Sequence, residues 1–262
     1  MSESKGESTT PQSAEVRIIG LRETPEVHPG DDIAQVVLDA AAATGVTLAD
    51  GDVLVVTHKV ISKAEGALVD LREVEPSELA RRFAETWGKD PRYIEVVLRE
   101  SDRILRMERG LIISRTRHGF ICANAAVDAS NVSGGEIVSL LPRDPDASAA
   151  ALRAELGRRL GLDLAIVITD SFGRPWRNGI TNVAIGVAGM QPIADYRGQP
   201  DDFGRVMSAS ILAVADEIAS AAELVSGKVN RCPFIVVRGY DYPRGEGTGA
   251  DLIMPDQMNL FR

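Results

Sequence analysis

Apolar residues along the chain fall into short solid runs, separated by polar stretches marked with glycine and proline. That pattern predicts strands covered on both faces alternating with amphipathic helices. VRIIGL (Val16 to Leu21) reads as the first buried strand, and Pro25, Pro29 and Gly30 mark the loop after it. Asp31 or Asp32 then caps a helix to about Thr44, with Ile33, Val36, Val37 and Ala40 on one face and Gly45 as its stop. DVLVVTHK (Asp52 to Lys59) predicts a second buried strand whose carboxyl end carries Thr57, His58 and Lys59. In open α/β sheets that end is where ligands bind. Pro76 and Ser77 open a helix to about Trp87, and Tyr93 to Arg99 form another. Leu111 to Asp128 reads as two strands turning at His118 and Gly119, the second closed by Asp128. Glu136 to Pro142 gives a further strand, and Asp144 to Leu160 a helix entered through Pro145. Leu164 to Gly179 repeats the theme of a buried strand ending in polar groups at Asp170 and Ser171. Arg205 to Val225 predicts a long alanine-rich helix, and Phe234 to Gly239 a last buried strand before a glycine-rich segment. No repeat and no low-complexity linker divides the chain. The expectation is an α/β protein with mixed sheets and closely joined domains.

Composition narrows the picture. Hydrophobic residues make up 44% of the 262 and charged residues 26%, the balance of a folded globular chain; aromatics at 5% imply an aliphatic core. A net charge of -9 argues against a broad nucleic-acid surface, which needs a dominant positive field. It does not argue against one small anionic ligand, since a bound cation and a few placed lysines or arginines reverse the field locally. Cys122 and Cys232 lack metal-cage spacing and read as two buried thiols. The first fourteen residues form a polar tail, expected to be disordered, with no apolar run for a signal or anchor. No stretch is apolar for long enough to span a bilayer, so the expected location is the cytoplasm.

Candidate chemistry collects at strand ends. Asp128, Asp170 with Ser171, and Glu246 are oxygen donors of the kind hard cations prefer; each alone reads more readily as a turn or capping residue, and the three together shift the balance toward a cation. In RGYDYPRGEGTGAD, Gly239, Gly245, Gly247 and Gly249 would let backbone amides approach a phosphate, with Arg238 and Arg244 adding charge. This is not a Walker loop, and a plain surface loop is the competing reading. Lys59 and Lys63 could neutralise phosphate oxygens or simply be solvated. His58 and His118 have no catalytic context and read as hydrogen-bonding residues. Arg174 and Arg177 flank Pro175 and Trp176, which suits either a grip on carboxylate or phosphate or a rigid packed loop.

Several long segments go further. VVTHKVISKAEG, TRHGFICANAAVDASNV, VITDSFGRPWRNG and VRGYDYPRGEGTGADL occur in one chain and in this order. Together they resemble the signature segments of the coenzyme F420-0:gamma-glutamyl ligase family, along nearly everything but the tail. The resemblance implies that GTP phosphorylates the terminal carboxylate of the deazaflavin precursor and that the amine of L-glutamate displaces the phosphate. Further gamma-linked glutamates would follow by the same chemistry. It also implies two divalent cations, magnesium or manganese, with Asp128 and Asp170 holding one and Ser171 and Glu246 the other, and a potassium ion besides. Ser171 stands where threonine is common, which keeps the hydroxyl. Leu21, Arg22, Glu23, Thr24, His58, Lys63 and Asn131 correspond to GTP contacts, and Arg244, Gly245, Gly247 and Thr248 lie in the loop that would wrap the nucleotide. The implied fold has two subdomains around a V-shaped cleft in an intertwined homodimer, with no flavin-binding reductase domain after residue 262. By themselves the residues also admit a metal-dependent phosphohydrolase or a catalytically silent nucleotide sensor.

Overall fold

The structure, a computed structural model, describes residues 14–129 and 135–260. In chain order the elements are β1 (Arg17–Leu21), α1 (Ile33–Thr44), β2 (Val53–Thr57), α2 (His58–Ala64), β3 (Leu68–Asp70), α3 (Glu78–Trp87), α4 (Pro91–Arg99), β4 (Ser101–Glu108) and β5 (Leu111–Thr116). There follow β6 (Ile121–Ala123), β7 (Ile137–Ser139), α5 (Pro145–Leu160), β8 (Ala165–Arg174), β9 (Arg177–Ala188), β10 (Ala194–Asp195), β11 (Ile211–Leu212), α6 (Val214–Ser226) and β12 (Phe234–Arg238). The expected mixed α/β architecture is what is found.

The central sheet has the order β1-β12-β2-β8-β9, with β2 and β8 parallel and every other neighbour antiparallel. Its middle strands are apolar on both faces because both faces are covered. Leu54, Val56, Ile166, Ile168, Phe234 and Val236 pack toward α1, α2 and α5. The alternate residues Val53, Val55, Val167, Ile235 and Val237 pack toward α6. Asp32 caps α1 through its carboxylate on the Gln35 amide at 3.1 Å, and Gly45 ends the helix in the left-handed conformation at φ 71°. A smaller part with its own core is built from α3, α4, the sheet β4-β5-β6 and the pair β3-β7, around Phe83, Ile94, Val97, Ile112 and Val138. Among the described residues no helix is long and apolar enough to cross a membrane.

Four local expectations change. The chain turns into α2 directly after Thr57, so His58 and Lys59 begin a helix rather than end a strand. Asp170 does not close β8: the strand runs on to Arg174 and folds back through Pro175 and Trp176 into β9, as a hairpin with an exposed tip. Asp128 does not close β6 either; it follows a separate turn and bridges to Ser139. Finally, α6 begins at Val214 instead of Arg205, because Val214, Ala215, Ile218, Ala219 and Ala222 are the apolar stripe that meets the sheet, while Val206, Ile211 and Leu212 are exposed.

Candidate active site

The carboxyl ends of β2 and β8 lie side by side, Thr57 beside Thr169. From there α2 delivers polar groups within a little over one turn. His58, buried, sets Nε2 3.3 Å from Asp170 Oδ1 and Nδ1 3.3 Å from the Ser62 hydroxyl. Lys59 Nζ donates to Asp128 Oδ2 at 2.7 Å. Consecutive residues of one helix thus reach the two aspartates that sequence singled out. Four residues on, Lys63 pairs with Glu26, whose carboxyl it holds below the usual glutamate range.

Asp170 owes its placement to a bulge. Ile168 pairs with Gly186 and Thr169 with Ala184, so Ile185 is an extra residue in β9 just before the site. Bulges re-aim the side chains beyond them. The Ala184 amide, released from the ladder, donates to Asp216 Oδ1 of α6 at 2.8 Å, and burial pushes the Asp216 carboxyl up. Beyond the bulge Asp170 pairs with Val183 and Ser171 with Asn182, and the Ser171 amide donates to Asp170 Oδ1 at 2.7 Å. The Ser171 hydroxyl donates to Asn182 Oδ1 at 2.6 Å and accepts from Lys228 Nζ.

Asp128 is held by an unusual turn. Asn124, Ala125 and Ala126 take φ values of 51°, 49° and 57°, three successive left-handed residues with none of them glycine. Each costs about 1–2 kcal/mol, and strain of this kind gathers at functional sites. The Asn124 side chain accepts from the Ile112 amide at 3.1 Å, Tyr93 donates to the Val127 carbonyl at 2.9 Å, and Asp128 exchanges backbone bonds with Ser139 at 3.0 and 2.8 Å. Burial raises the Tyr93 phenol to about 12, helped by the Asp128 charge. Burial raises the Cys122 thiol likewise to about 12, helped by Asp170, which makes it an unreactive thiol.

Leu21, Arg22, Glu23 and Thr24 leave the sheet at this same end, since Leu21 pairs with Phe234 and Phe234 with Val56. Glu23 is left-handed at φ 62°. The buried Thr24 hydroxyl has no hydrogen-bond partner among the described residues, which suits a segment waiting for a polar ligand.

Other expected residues lie elsewhere. Glu246 is 3.5 Å from Arg153, whose Nε donates to the Leu164 carbonyl at 2.9 Å, just before β8 begins. Arg244, 4.3 Å over the Tyr242 ring, approaches Asp163, and the Gly247 amide donates to Met190. Gly245 and Thr248 belong to that segment. Six residues of strand separate Leu164 from Asp170, about 20 Å at the usual rise. Arg174 and Arg177 stand at the hairpin tip, about 13 Å beyond Asp170. Asn131 lies outside the described residues.

Among the described residues no three or more His, Cys, Asp or Glu side chains converge on one point. The local donor set still fits a hard divalent cation: Asp128, Asp170 and the Ser171 hydroxyl offer oxygen only, and Lys59 and Lys228 already bring ammonium groups to the first and last of them. Glu246 of the same chain does not fit that set. Sequence reading passed over Asn182, Asp216, Glu223 and Lys228. The available signal was the polar spacing of Asp216, Ser220 and Glu223, one face of an otherwise apolar alanine-rich helix.

Fold and site together define an α/β protein that gathers carboxylates and lysines at the carboxyl ends of parallel strands, the usual place for anionic ligands. The chain belongs to the F420-0:gamma-glutamyl ligase family, which it matches over residues 21–239. It is 43% identical over 250 residues to the coenzyme F420:L-glutamate ligase of Methanothermobacter thermautotrophicus, covering 94% of this chain and 99% of that one. The enzyme of the same name from Methanopyrus kandleri is 46% identical, with 90% and 94% covered. That from Methanocaldococcus jannaschii is 38% identical, with 96% and 98% covered.

Proposed function

We propose that this chain joins L-glutamate to the carboxylate of the coenzyme F420 precursor and extends the product by gamma-linked glutamates, with GTP as phosphoryl donor. One observation carries the reading: relatives named for that ligation match nearly the whole chain and nearly their own whole length. In the first step a precursor carboxylate oxygen bonds to the terminal phosphorus of GTP, and GDP leaves. In the second the glutamate nitrogen bonds to the acyl carbon, phosphate leaves, and the nitrogen gives up a proton.

Most of what such a reaction needs is positioning and charge neutralisation. Lys59 and Lys63, one turn apart on α2, supply positive charge at the strand ends, and the segment Leu21 to Thr24 offers its backbone and the unpartnered Thr24 hydroxyl to the nucleotide. His58, fixed between Ser62 and Asp170, donates from a buried position. Asn131 would add a further nucleotide contact. Asp128 and Asp170 would hold one divalent cation, magnesium or manganese, and Ser171 with Glu246 a second; such ions neutralise charge on a transferring phosphoryl group. A potassium ion belongs to the same proposal.

Glu246 and Arg244 lie beside Arg153 and Asp163, at the other end of β8 from Asp170 of their own chain, although the loop runs on to the bulge, where Gly249 packs against Ile185. We therefore assign Glu246 and Arg244 to the site of a second copy in a homodimer. Apolar side chains exposed on the hairpin and the following loop support an assembled state: Trp176 is 83% exposed, Ile180 58% and Phe203 96%. The hairpin would carry Arg174 and Arg177 toward the substrate carboxylates.

The test is incubation of the full chain with GTP, manganese or magnesium, L-glutamate and the glutamate-free precursor, read by mass spectrometry. A product heavier by one or more glutamates is expected, with phosphate release dependent on both acceptor and amino acid. No such product overturns the reading. Phosphate release indifferent to acceptor and glutamate would identify a phosphohydrolase instead.

A further inference from the structure

The Ser171 hydroxyl sits in a hydrogen-bond network with only one solution. Glu223, on α6, is a carboxylate and can only accept, so Asn182 must turn its Nδ2 toward Glu223 Oε2, 2.9 Å away. That leaves Asn182 Oδ1, an acceptor, facing Ser171 Oγ at 2.6 Å. Ser171 must therefore spend its single proton on Asn182. On its other side stands Lys228, whose ammonium can only donate and which also lies 3.3 Å from Glu223 Oε1. Both neighbours impose the same polarity: proton inward, lone pairs outward. Asn182 is itself almost fully buried, and its backbone carbonyl accepts from the Ser220 hydroxyl at 2.8 Å, one helical turn before Glu223. With Asp216 on the Ala184 amide, α6 thus grips the bulged part of β9 at three points along one face.

We propose that Glu223 and Asn182 are positioning residues that lock the Ser171 hydroxyl as an acceptor toward the site, so that it is ready to bind a cation. The inference rests on the proposed role of Ser171 and deepens it. A serine free to rotate would spend part of its time pointing its proton at the cation, and a carboxylate one residue further back removes that state. Lys228 is the cation that takes the lone pair when no metal does. Neither Glu223 nor Asn182 needs to touch substrate.

The test is a manganese titration of the full chain, with free ion followed by electron paramagnetic resonance, alongside the activation constant for manganese in turnover. Glu223→Gln keeps the shape of the side chain but lets the Asn182 amide adopt either orientation. It is expected to weaken manganese binding several-fold while the melting temperature is unchanged and kcat at saturating manganese falls less than affinity does. The double variant Glu223→Gln with Lys228→Met restores the local charge balance and should remain as weak, because orientation, not field, is lost. On a Ser171→Ala background Glu223→Gln should add nothing. Full recovery in the charge-balanced double variant, or an undiminished Glu223→Gln effect without the Ser171 hydroxyl, overturns the positioning role alone. A Ser171→Ala variant that binds manganese as tightly as the parent overturns the placement of Ser171, and the inference with it.

Discussion

Left-handed backbone separates the strained residues of this protein into two groups. Glu23, Asn124, Ala125, Ala126, Trp176 and Arg231 lie in the candidate site, in its approach, at the tip of the hairpin that leaves it or, for Arg231, just before β12 enters the sheet at the same end. Arg109 does not: it forms with Gly110 the two-residue turn between β4 and β5, at φ 54° and 74°. Turns of that hand favour Asn-Gly, since asparagine tolerates the left-handed region better than arginine does. Arg109→Asn is expected to stabilise the protein by about 0.5–1 kcal/mol, seen as a higher urea midpoint with unchanged slope. An unchanged or lower midpoint would mean that the exposed Arg109 side chain makes up the difference. The three-residue turn before Asp128 has no such easy relief, because Ala125 is buried and its methyl group is part of the core.

At the level of elements, the contact of α5 with β9 is as tight as backbone allows. A Cβ on Gly186 would lie 2.4 Å from the Pro145 carbonyl oxygen, at the start of α5. The same helix start holds Asp146, whose Oδ1 accepts from the Val187 amide at 2.8 Å and the Gly249 amide at 2.6 Å. Gly186→Ala must push α5 away from the sheet beside the bulge that aims Asp170. Overpacking of this kind costs about 1–3 kcal/mol. At about 2–4 °C per kcal/mol for a chain of this size, a thermal melt should fall by several degrees. A melt within one degree of the parent would show that α5 can shift freely. Sequence reading found α5 and the apolar part of β8, because both carry their own periodicity. It missed β9, whose outer half (RNGITN) is polar and reads as loop; only pairing with β8 makes it a strand.

On the scale of the whole molecule, the separation of Glu246 from Asp170 has a sharp consequence. If each site takes Asp170 from one copy and Glu246 from another, Asp170→Ala and Glu246→Ala are both inactive alone. Coexpressed, they form mixed dimers with one intact site, returning about a quarter of parental activity by random pairing in a two-fold dimer. A mixture as dead as its parts would place both residues in one chain's site. Acid stability is a second whole-molecule property. Asp70, Glu155 and Asp195 are each held at about 2 by arginines close in sequence: Arg72, the pair Arg158 and Arg159, and Arg197. These values lie below those of the unfolded chain, so the stabilisation is complete above about pH 5 and is lost as pH falls toward 2. Asp216, pushed up by burial, works in the opposite sense as one group against three. Urea midpoints should be level from pH 7 to 5 and fall from pH 4 to 2; a rise on acidification would contradict the account.

Sequence alone determined which segments fold as strands and helices wherever a run carries its own apolar period and its own caps: β1, β12, α1, α3 and α5 stand where pattern put them, and β2 does up to Thr57. It also picked out the aspartates, because a carboxylate after a buried apolar run is conspicuous. Tertiary structure decided what those residues face. Register and a one-residue bulge aim Asp170, α2 brings His58 and Lys59 to the two aspartates, and strand length sets Glu246 at the far end of the sheet. Glu223, Asn182 and Lys228 are separated by up to 46 positions; the polar spacing of α6 marks Glu223, but nothing local joins it to Asn182, and only the packing of α6 on β9 makes them neighbours. The physical reason is the same in each case: periodicity and capping act over one element, whereas pairing register and helix docking are settled by contacts between residues distant in the chain.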